Sequence, residues 1–494
     1  MGDDNLLRAG DRVLVGTTLV TVTEEFAGSL LPGDKVVGVA GTGGLKRIPA
    51  AVDALVDAAL TRATSAFSQL QSCGDGAVRR FFAAASRRVR DDPAFAPVLR
   101  ANAADLESAR RRGRSTTRLE LGDSMRAGMA EALDMWGDMP VGSGPDAVVE
   151  HEGWRVEEHR APLGVIGFVF EGRPNVFADA TGVLCGGNTV VFRIGSDALG
   201  TARALMQHVV APSLEEAGLP AGAVQLLDSV EHSAGWALFA DGRLALAVAR
   251  GSGEAVAELG AIARQAGTPV SLHGTGGAWM IVGERHDESR LSAVVEHSLD
   301  RKVCNTLNTL CVTAAAAPRA VPVVLAAADR AASRRGRRAR IHVTGAALPF
   351  VGAAELVMVM RPGGEAEEPN VSVCDEHVLG HEFEWEENPE FHLHVVPGVS
   401  DAVALFNRLA PRFIVSCVSS DPLDHRTVWE GCDAPFVGDG FTRWVDGQFA
   451  LLRPELGLSN WQSGRLFARS AILSGDSAYT VRLRVTQDDA AIHR

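Results

Sequence analysis

The sequence predicts an α/β protein with more than one domain, in which helices cover parallel sheets. Short apolar runs typical of buried strands alternate with amphipathic helical patterns from about residue 165 to about residue 440. The 52 glycines suit an architecture with many tight turns between strands and helices. The length of 494 residues exceeds what one compact core accommodates, so two or three domains are expected.

The N-terminal segment, residues 1–66, is predicted to be a separate extension. Val13–Val15 and Leu19–Val22 are rich in strand-forming residues, and a Pro-Gly-Asp turn signal precedes a third such run, Lys35–Val39. An alanine-rich amphipathic helix is predicted over 50–70. Helical patterns with charged faces then continue from about residue 76 to residue 140.

The pattern changes near residue 146 to an alternating ribbon that extends to about residue 160. The αβ alternation follows, with predicted elements at Val165–Phe170, Asn188–Arg193, 198–217, Val224–Leu227, Leu244–Val248 and 254–266, and a second series over 277–440. The last run, Tyr479–Val485, also alternates. We expect it to pair outside its own subunit, because an unpaired edge strand is an aggregation hazard unless it is covered.

Composition excludes several classes of protein. The net charge of −13 disfavours a nucleic-acid binder, and the basic run Arg334–Arg338 is interpreted as a solvated helix end. The seven cysteines are odd in number and form no CxxC pair, which predicts neither a disulfide framework nor a metal site. No apolar stretch reaches the roughly 18 residues of a membrane span, and no signal peptide is recognisable. A reduced, cytoplasmic setting is expected.

Three short segments carry candidate chemistry. In the first, Glu171–Asn175, a buried strand ends in an Arg-Pro-Asn turn. This turn would place the guanidinium of Arg173 and the amide of Asn175 at the carboxyl edge of a sheet, where α/β proteins bind ligands. The structural alternative is a turn whose asparagine caps the next helix.

The second segment consists of Arg250, Gly251, Ser252 and Gly253, between a strand and a helix. Such a turn can present backbone N–H groups to phosphate. It is not a complete GxGxxG motif, and many turns carry glycine for geometry alone.

The third segment is Val303–Leu310. Its Cys304 is a candidate nucleophile if a neighbouring dipole or charge favours the thiolate. Cysteine is also common as a small buried apolar residue, and this alternative stays open from the local sequence.

The order and spacing of these segments resemble the glutamate-5-semialdehyde dehydrogenase family, also called γ-glutamyl phosphate reductase, of the aldehyde dehydrogenase superfamily. Seven matches follow one another in the family's order: Pro162–Gly167, Glu171–Asn175, Gly187–Arg193, Leu219–Gln225, Arg250–Gly253, Thr268–Val270 and Val303–Val312. A weaker similarity covers 436–449, which contains Phe441-Thr442-Arg443 and Asp446-Gly447-Gln448-Phe449.

This resemblance implies an aldehyde dehydrogenase-like fold. A Rossmann-type cofactor domain would span 67–273, an α/β catalytic domain 274–445 and a C-terminal return 446–494. A β oligomerisation ribbon would combine 146–160 with 476–494, so that the protein is a homo-oligomer, either a dimer or a tetramer.

The resemblance also implies the chemistry, which is the reduction of an acyl phosphate to an aldehyde by NADPH, with NADH as the alternative. Cys304 would attack the acyl carbon, expel phosphate and form a thioester, while Asn175 and the backbone N–H of Cys304 stabilise the oxyanion. The pathway would be proline biosynthesis or a related one, with an upstream amino-acid kinase as a partner. No metal is implied.

Further roles follow from the same resemblance. Substrate contacts would come from Arg173, Asn305 and Asn308. Cofactor contacts would come from Arg193, from the turn of Arg250, Gly251, Ser252 and Gly253, and from Glu386 of an acidic cluster. That cluster comprises Glu382, Glu384, Glu386 and Glu387.

The chain departs from the family where Asn308 stands in place of a glutamate, and again over 450–457 and 468–473. On a helix running from Cys304, Asn308 would lie one turn away on the same face, so the substrate is expected to differ near its amino group. Two other functions stay open. One is a reductase of coenzyme A or carrier-bound thioesters, and the other is a non-catalytic protein that binds an upstream kinase.

Overall fold

A computed structural model describes residues 7–114, 116, 118–139, 144–361, 364–460, 472–475 and 477–491. The chain divides into two compact units. Unit 1 consists of Met1–Gly274, Leu452–Leu458 and Ile472–Arg494, and unit 2 consists of Thr275–Leu451 and Ser459–Ala471.

The described residues of unit 1 contain ten helices and fourteen strands. The strands are β1 Arg12–Val15, β2 Thr18–Thr21, β3 Lys35–Val39, β4 Gly44–Ile48, β5 Ala147–His151, β6 Trp154–Pro162, β7 Val165–Phe170, β8 Thr189–Arg193, β9 Val224–Leu226, β10 Leu244–Arg250, β11 Val270–His273, β21 Gly457–Leu458, β22 Ile472–Leu473 and β23 Tyr479–Gln487. The helices are α1 Glu24–Ser29, α2 Ala50–Leu70, α3 Asp75–Arg90, α4 Asp92–Arg111, α5 Asp123–Asp138, α6 Val176–Thr181, α7 Leu199–Leu205, α8 Ala211–Ala217, α9 Ser233–Phe239 and α10 Gly253–Gln265. A π-helical turn, Met206–Val210, joins α7 to α8.

The core of unit 1 is a parallel sheet in the order β11-β10-β7-β8-β9. Every residue of the apolar strands β7 and β8 is buried, as expected for a sheet covered on both faces. The chain proceeds outward on one side through β8 and β9 and then returns to place β10 on the other side of β7. This reversal makes the carboxyl ends of β7 and β10 the switch point of the sheet, which is the expected ligand edge.

The N-terminal segment packs within unit 1, on both sides of the boundary predicted at residue 66. Helix α2 runs across that boundary, and its residues Val52, Val56 and Leu60 are buried in one cluster with Val165 and Val191 of the sheet. The alanine-rich face of the helix therefore completes the core of unit 1.

The alternating ribbon forms a three-stranded antiparallel sheet in the order β23-β6-β5. Strand β23 pairs with β6 of its own chain over its whole length, from Tyr479 opposite Pro162 to Gln487 opposite Trp154. This pairing occupies one edge of β23, which stays at the edge of the sheet, so the pairing of this strand outside its own subunit stays a prediction.

The described residues of unit 2 contain nine strands and five helices. The strands are β12 Ala278–Val282, β13 Leu307–Thr313, β14 Arg340–Val343, β15 Leu356–Arg361, β16 Gly364–Pro369, β17 Val371–Val373, β18 Glu390–Val396, β19 Ile414–Val418 and β20 Phe436–Gly438. The helices are α11 Glu288–Ser298, α12 Ala317–Ser333, α13 Val399–Leu409, α14 Pro422–Gly431 and α15 Gly447–Ala450.

Seven of these strands form a second parallel sheet in the order β17-β14-β18-β13-β12-β19-β20. The central strands β12, β13 and β18 are buried along their whole lengths. None of the described helices in either unit is long and apolar enough to cross a membrane.

Candidate active site

Two loops of unit 1 meet at the switch point of its sheet. The backbone N–H of Glu171, which follows β7, donates to the carbonyl of Arg250 at the end of β10 over 3.1 Å. The Arg-Pro-Asn turn and the glycine turn are therefore neighbours, as their positions after adjacent parallel strands require.

The glycine turn ends at the N-terminus of α10, a helix of 13 residues. The first-turn N–H groups of a helix have no intrahelical partners and attract anions. Ser252 occupies the N-cap position with extended backbone, and its side chain makes no capping hydrogen bond. A Cβ added at Gly251 would meet only Val256, at 3.9 Å, so the approach to this turn is open within unit 1.

Arg250 itself is less available than the backbone beside it. Its guanidinium lies 2.7 Å from Asp179 and 3.7 Å from Glu455, and it rests over the ring of Phe170. Both carboxylates offset the charge of Arg250. The backbone N–H groups of 251–253 are therefore better hydrogen-bond donors to a phosphate than the Arg250 side chain is.

Arg193 is 5 % exposed, and burial lowers the pKa of its guanidinium. It donates to the carbonyls of Glu231 and Val230 over 3.2 and 3.3 Å. Arg193 thus supports the loop that follows β9, and this was not apparent from its position at the end of β8.

In the Arg-Pro-Asn turn, the guanidinium of Arg173 lies 2.9 Å from Glu171, which also pairs with Arg118 at 3.1 Å. Asn175 begins α6 without a side-chain capping bond, so the helix-cap interpretation does not hold. Its amide oxygen is buried and receives no hydrogen bond from the described residues. A buried polar atom without a hydrogen-bond partner, in a loop at the edge of the sheet where ligands are expected, favours a functional role for Asn175.

In unit 2, Cys304 lies in a turn between α11 and β13 and is half-buried. The helix expected to run from Cys304 does not form, because the chain enters the buried strand β13 three residues later. The nucleophile turn, residues 302–306, therefore lies at the amino edge of its sheet.

The other buried cysteines of unit 2 are poor candidates for a nucleophile. Burial raises the pKa of the Cys311 thiol well above its usual range, and it raises the pKa values of Cys417 and Cys432 to about 12. These thiols stay protonated near neutral pH, since only the thiolate attacks.

The nucleophile turn packs directly on a glycine pair. The backbone N–H of Gly277 donates to the carbonyl of Cys304 over 2.8 Å. A Cβ added at Gly276 would lie 2.6 Å from the Cα and carbonyl oxygen of Cys304. Only glycine allows this approach.

Asn305 is an anchor for the turn. Its amide nitrogen donates to the carbonyl of Val445 over 2.9 Å, its amide oxygen accepts from Arg443, and its backbone carbonyl accepts from the Thr442 hydroxyl over 2.7 Å. Arg443 also donates to Asp300 over 2.7 Å. The 436–449 similarity noted in the sequence thus corresponds to the segment that holds the nucleophile turn.

Asn308 lies on β13 and is 3 % exposed. Its amide nitrogen donates to the carbonyl of His381 over 2.8 Å, and its amide oxygen accepts from the N–H of Phe383 over 3.1 Å. The expected helical position one turn from Cys304 is wrong, because the residue is in a strand and its amide binds the 381–383 loop.

Of the four acidic residues in 382–387, Glu384 lies 3.8 Å from Lys302, and Glu382 makes hydrogen bonds to the nucleophile region. It accepts from the N–H of Gly276 over 2.6 Å and from the ammonium of Lys302. Glu386, chosen from the sequence, is exposed, and Glu387 pairs with Arg337 at 2.6 Å.

Sequence reasoning missed Lys302, Glu382 and the Gly276–Gly277 pair. Lys302 carried a signal because it stands two residues before Cys304, and Glu382 was within the acidic cluster. Nothing local distinguished Gly276 from the chain's other glycines.

The sequence model of the Aldehyde dehydrogenase family matches residues 43–344, which is more than half of the chain and includes both unit 1 loops and the Cys304 turn. The chain belongs to the aldehyde dehydrogenase family. The family match begins before residue 66, in agreement with the inclusion of α2 in unit 1.

Several relatives are named γ-glutamyl phosphate reductase. The one from Syntrophomonas wolfei is 28% identical over 411 residues, covering 78% of this chain and 89% of its own length. The one from Afipia carboxidovorans is 36% identical over 232 residues, covering 45% of this chain and 53% of its own length. These matches confirm the family resemblance that the motifs predicted.

Solved structures agree on the fold. The γ-glutamyl phosphate reductase of Thermotoga maritima has a TM-score of 0.75 at 20% identity, covering 89% of this chain and 100% of its own. The lactaldehyde dehydrogenase of Escherichia coli has a TM-score of 0.64 at 15% identity, covering 92% of this chain and 97% of its own. The predicted aldehyde dehydrogenase-like α/β fold is confirmed.

Membership of the aldehyde dehydrogenase family implies a nicotinamide cofactor. The residues of unit 1 fit such a group. The backbone N–H groups at the α10 N-terminus and the hydroxyl of the N-cap residue Ser252, which makes no capping hydrogen bond, are donors suited to its phosphates. No group of carboxylate, imidazole or thiol ligands suited to a metal occurs in the part of the chain that the structure describes.

Proposed function

We propose that this chain reduces an acyl phosphate, γ-glutamyl phosphate or a close relative, to an aldehyde with NADPH through a thioester on Cys304. The observation that carries the proposal is the nucleophile turn. The Cys304 thiol is half-buried, in a turn that packs against Gly276 and is anchored by Asn305. Relatives of the chain are named for this reaction.

In the proposed first step, the Cys304 thiolate attacks the acyl carbon, the carbon–oxygen bond to phosphate breaks, and inorganic phosphate leaves. A covalent intermediate divides one difficult displacement into two easier ones. When bound, the nicotinamide cofactor supplies the hydride that reduces the thioester. The resulting thiohemiacetal expels the Cys304 thiolate and releases the aldehyde.

Oxyanion stabilisation is assigned to Asn175 and the backbone N–H of Cys304. In this role Asn175 would donate from its amide nitrogen, since an amide oxygen can only accept. Arg173 is assigned to the substrate, although its charge is partly offset by Glu171.

For the cofactor, the proposal assigns the phosphates to Gly251, Ser252 and Gly253 at the start of α10. Arg193 and Arg250 are assigned supporting roles, since the first binds backbone carbonyls and the second pairs with Asp179. Glu386, which is exposed, keeps its proposed cofactor contact, and NADPH rather than NADH remains the proposed hydride donor.

The test uses the reaction in both directions. In the forward direction, NADPH oxidation should release one inorganic phosphate for each aldehyde formed. In the reverse direction, NADP+ reduction by the aldehyde should depend on inorganic phosphate and should not respond to coenzyme A. Dependence on coenzyme A with no need for phosphate would replace this function by thioester reduction. A protein that binds NADPH but turns over neither substrate would favour a non-catalytic role.

A further inference from the structure

Three buried or half-buried side chains of unit 2 lie in or near the nucleophile turn without a part in the proposed chemistry. They are Lys302 of the turn itself, Glu382, which binds Lys302, and Asn308, which binds the backbone on either side of Glu382. Together they connect residues that lie before, within and after the turn with a loop about 80 positions further along the chain.

Glu382 is the centre of this arrangement. One carboxylate oxygen accepts from the N–H of Gly276, whose backbone packs against Cys304, and the other accepts from Lys302. The side chains of Lys302 and Glu382 are 5 % and 15 % exposed. The Glu382 carboxylate therefore binds both Gly276, which packs against Cys304, and Lys302, which precedes Cys304 by two residues. Because these side chains are largely buried, the interaction between their charges is stronger than it would be in water.

Asn308 in turn holds Glu382. The two backbone groups that it binds, the His381 carbonyl and the Phe383 N–H, belong to the residues on either side of Glu382. Asn308 also lies under Gly277, where an added Cβ would come within 3.0 Å of the Asn308 Cβ. The side chain thus contacts both the glycine pair and the loop that carries the carboxylate.

This contact pattern explains why an amide stands at position 308. A carboxamide has both donors and acceptors, so it can donate to one backbone group and accept from another. A carboxylate has only acceptors and would face the His381 carbonyl with like polarity. A glutamate at this position would lose one of the two hydrogen bonds and would bring a second negative charge towards Glu382.

We propose that Asn308, Glu382 and Lys302 form a positioning relay that fixes the Cys304 turn and holds the Lys302 ammonium, two residues before the thiol, in place. The inference rests on the proposed role of Cys304 as nucleophile. Lys302 supplies the positive charge that favours the thiolate, Glu382 keeps the ammonium in place, and Asn308 orients Glu382.

The remaining charged groups around the turn are few. Glu384 lies 3.8 Å from Lys302 but is 69 % exposed, and Arg301 is exposed. On the opposite side, Arg443 pairs with Asp300 and binds Asn305. Lys302 is therefore the buried cation nearest in sequence to Cys304, and Glu382 is its hydrogen-bonded partner.

The relay is tested by the alkylation rate of Cys304 in protein without substrate or cofactor. Iodoacetamide labelling is followed by peptide mass spectrometry from about pH 6 to about pH 10, a range that covers thiol ionisation. In Lys302→Met, the rate at neutral pH should fall about tenfold, and the midpoint of the pH profile should move upward by about one unit. The rates should converge at high pH. Lys302→Arg keeps the charge and should restore most of the rate.

The isosteric variant Asn308→Asp tests the other end of the relay. It replaces the amide donor by an acceptor facing the His381 carbonyl, so Cys304 alkylation and kcat should both fall about tenfold while KM changes little. Asn308→Glu should behave similarly. If Asn308→Glu instead alters only the preference between free-amino and N-acylated substrates, Asn308 contacts the substrate and the relay is wrong.

The matched control is the Lys46–Glu258 ion pair of unit 1, which has a length of 2.6 Å. Lys46→Met should leave the alkylation profile unchanged. Folding of each variant is checked by circular dichroism. An unchanged profile in folded Lys302→Met and Asn308→Asp would overturn the relay. Because labelling needs no turnover, a wild type that reduces no acyl phosphate would refute the proposed function without deciding this test.

Discussion

The two units of this protein use opposite edges of their parallel sheets. In unit 1 the ligand loops follow β7 and β10, at the carboxyl edge, where helix N-termini collect. In unit 2 the glycine pair precedes β12, the nucleophile turn precedes β13, and Glu382 precedes β18, so the functional groups gather at the amino edge. The usual rule for locating ligand sites in α/β proteins therefore indicates the unit 1 loops but not the Cys304 turn.

The difference lies in what holds each site. The unit 1 edge offers backbone N–H groups that the fold itself orients, and these tolerate changes of side chain. The unit 2 edge has no helix N-terminus of this kind among the residues described at the turn, so side chains supply the order through an ion pair and two amides. Equivalent substitutions should consequently have larger effects in unit 2 than in unit 1.

The largest expected effect is the loss of the nucleophile. Cys304→Ala should lower the reduction rate by several orders of magnitude, because the covalent route is removed. Cys311→Ala, seven residues away on β13, should retain activity. NADPH oxidation by purified proteins measures both. Equal rates for Cys304→Ala and wild type would remove unit 2 from the chemistry altogether.

Asn175→Ala asks whether unit 1 also takes part in the chemical step. Removing one oxyanion donor should lower kcat by about a hundredfold with a smaller change in KM. Stopped-flow measurement of phosphate release isolates the acylation step. If only KM rises, Asn175 binds substrate and unit 1 serves binding alone.

The same substitution at two glycines compares the edges directly. In Gly276→Ala the new Cβ would lie 2.6 Å from Cys304 backbone atoms, so the turn must move and kcat should fall about a hundredfold. In Gly251→Ala the nearest protein atom is 3.9 Å away, so the turn need not move and kcat at saturating NADPH should fall much less than in Gly276→Ala. Similar losses of kcat in both variants would contradict the distinction between unit 2, where side chains order the site, and unit 1, where the backbone does.

Unit 2 should also be the more acid-sensitive unit. Burial raises the pKa of Glu390, but hydrogen bonds from His342 and Arg361 and the charge of Arg340 lower it to about 2. Burial lowers the pKa of His392 to about 3. Both folded-state pKa values lie below those of an unfolded chain, so the unfolded state binds more protons in acid. Stability should be fully present above about pH 6.5 and decline towards about pH 2.

Hydrogen exchange followed by mass spectrometry, as the pH is lowered, checks this expectation. Protection of the unit 2 sheet should decrease before that of the unit 1 sheet. His392→Gln removes one of the two titrations and should reduce the loss between about pH 6.5 and about pH 3. Simultaneous loss in both units would mean that the buried charges of unit 2 do not govern its stability.

The smallest expected effect on catalysis concerns the ribbon. Val481, Leu483 and Val485 share one face of β23 and are 43, 66 and 59 % exposed, which is unusual for a solvated strand. Proteins of this family are commonly oligomeric, and we expect at least a dimer at micromolar concentration by light scattering. Leu483→Lys should weaken assembly while changing kcat per subunit less than about twofold. A monomeric wild type would contradict this expectation.

Much of the fold and part of the site followed from the sequence alone. The runs Val165–Phe170 and Leu244–Val248 and the helical pattern over 50–70 are contiguous, so their periodicity reports local structure directly. The order of seven motifs identified the family and, within it, Cys304. These strands, helices and motifs are each formed by residues that are adjacent in the chain, so a single sequence is enough to predict them.

Other features were decided by tertiary structure. The hydrogen bond of the Gly276 N–H to Glu382 and the pairing of Arg250 with Asp179 join residues far apart in the chain. The amide of Asn308 is separated by 73 positions from the carbonyl that it binds. A side chain's partner at such a distance is set by how strands are ordered and packed, which no local pattern encodes. The sequence therefore determined which thiol is the candidate nucleophile, and only the packing decided what surrounds it.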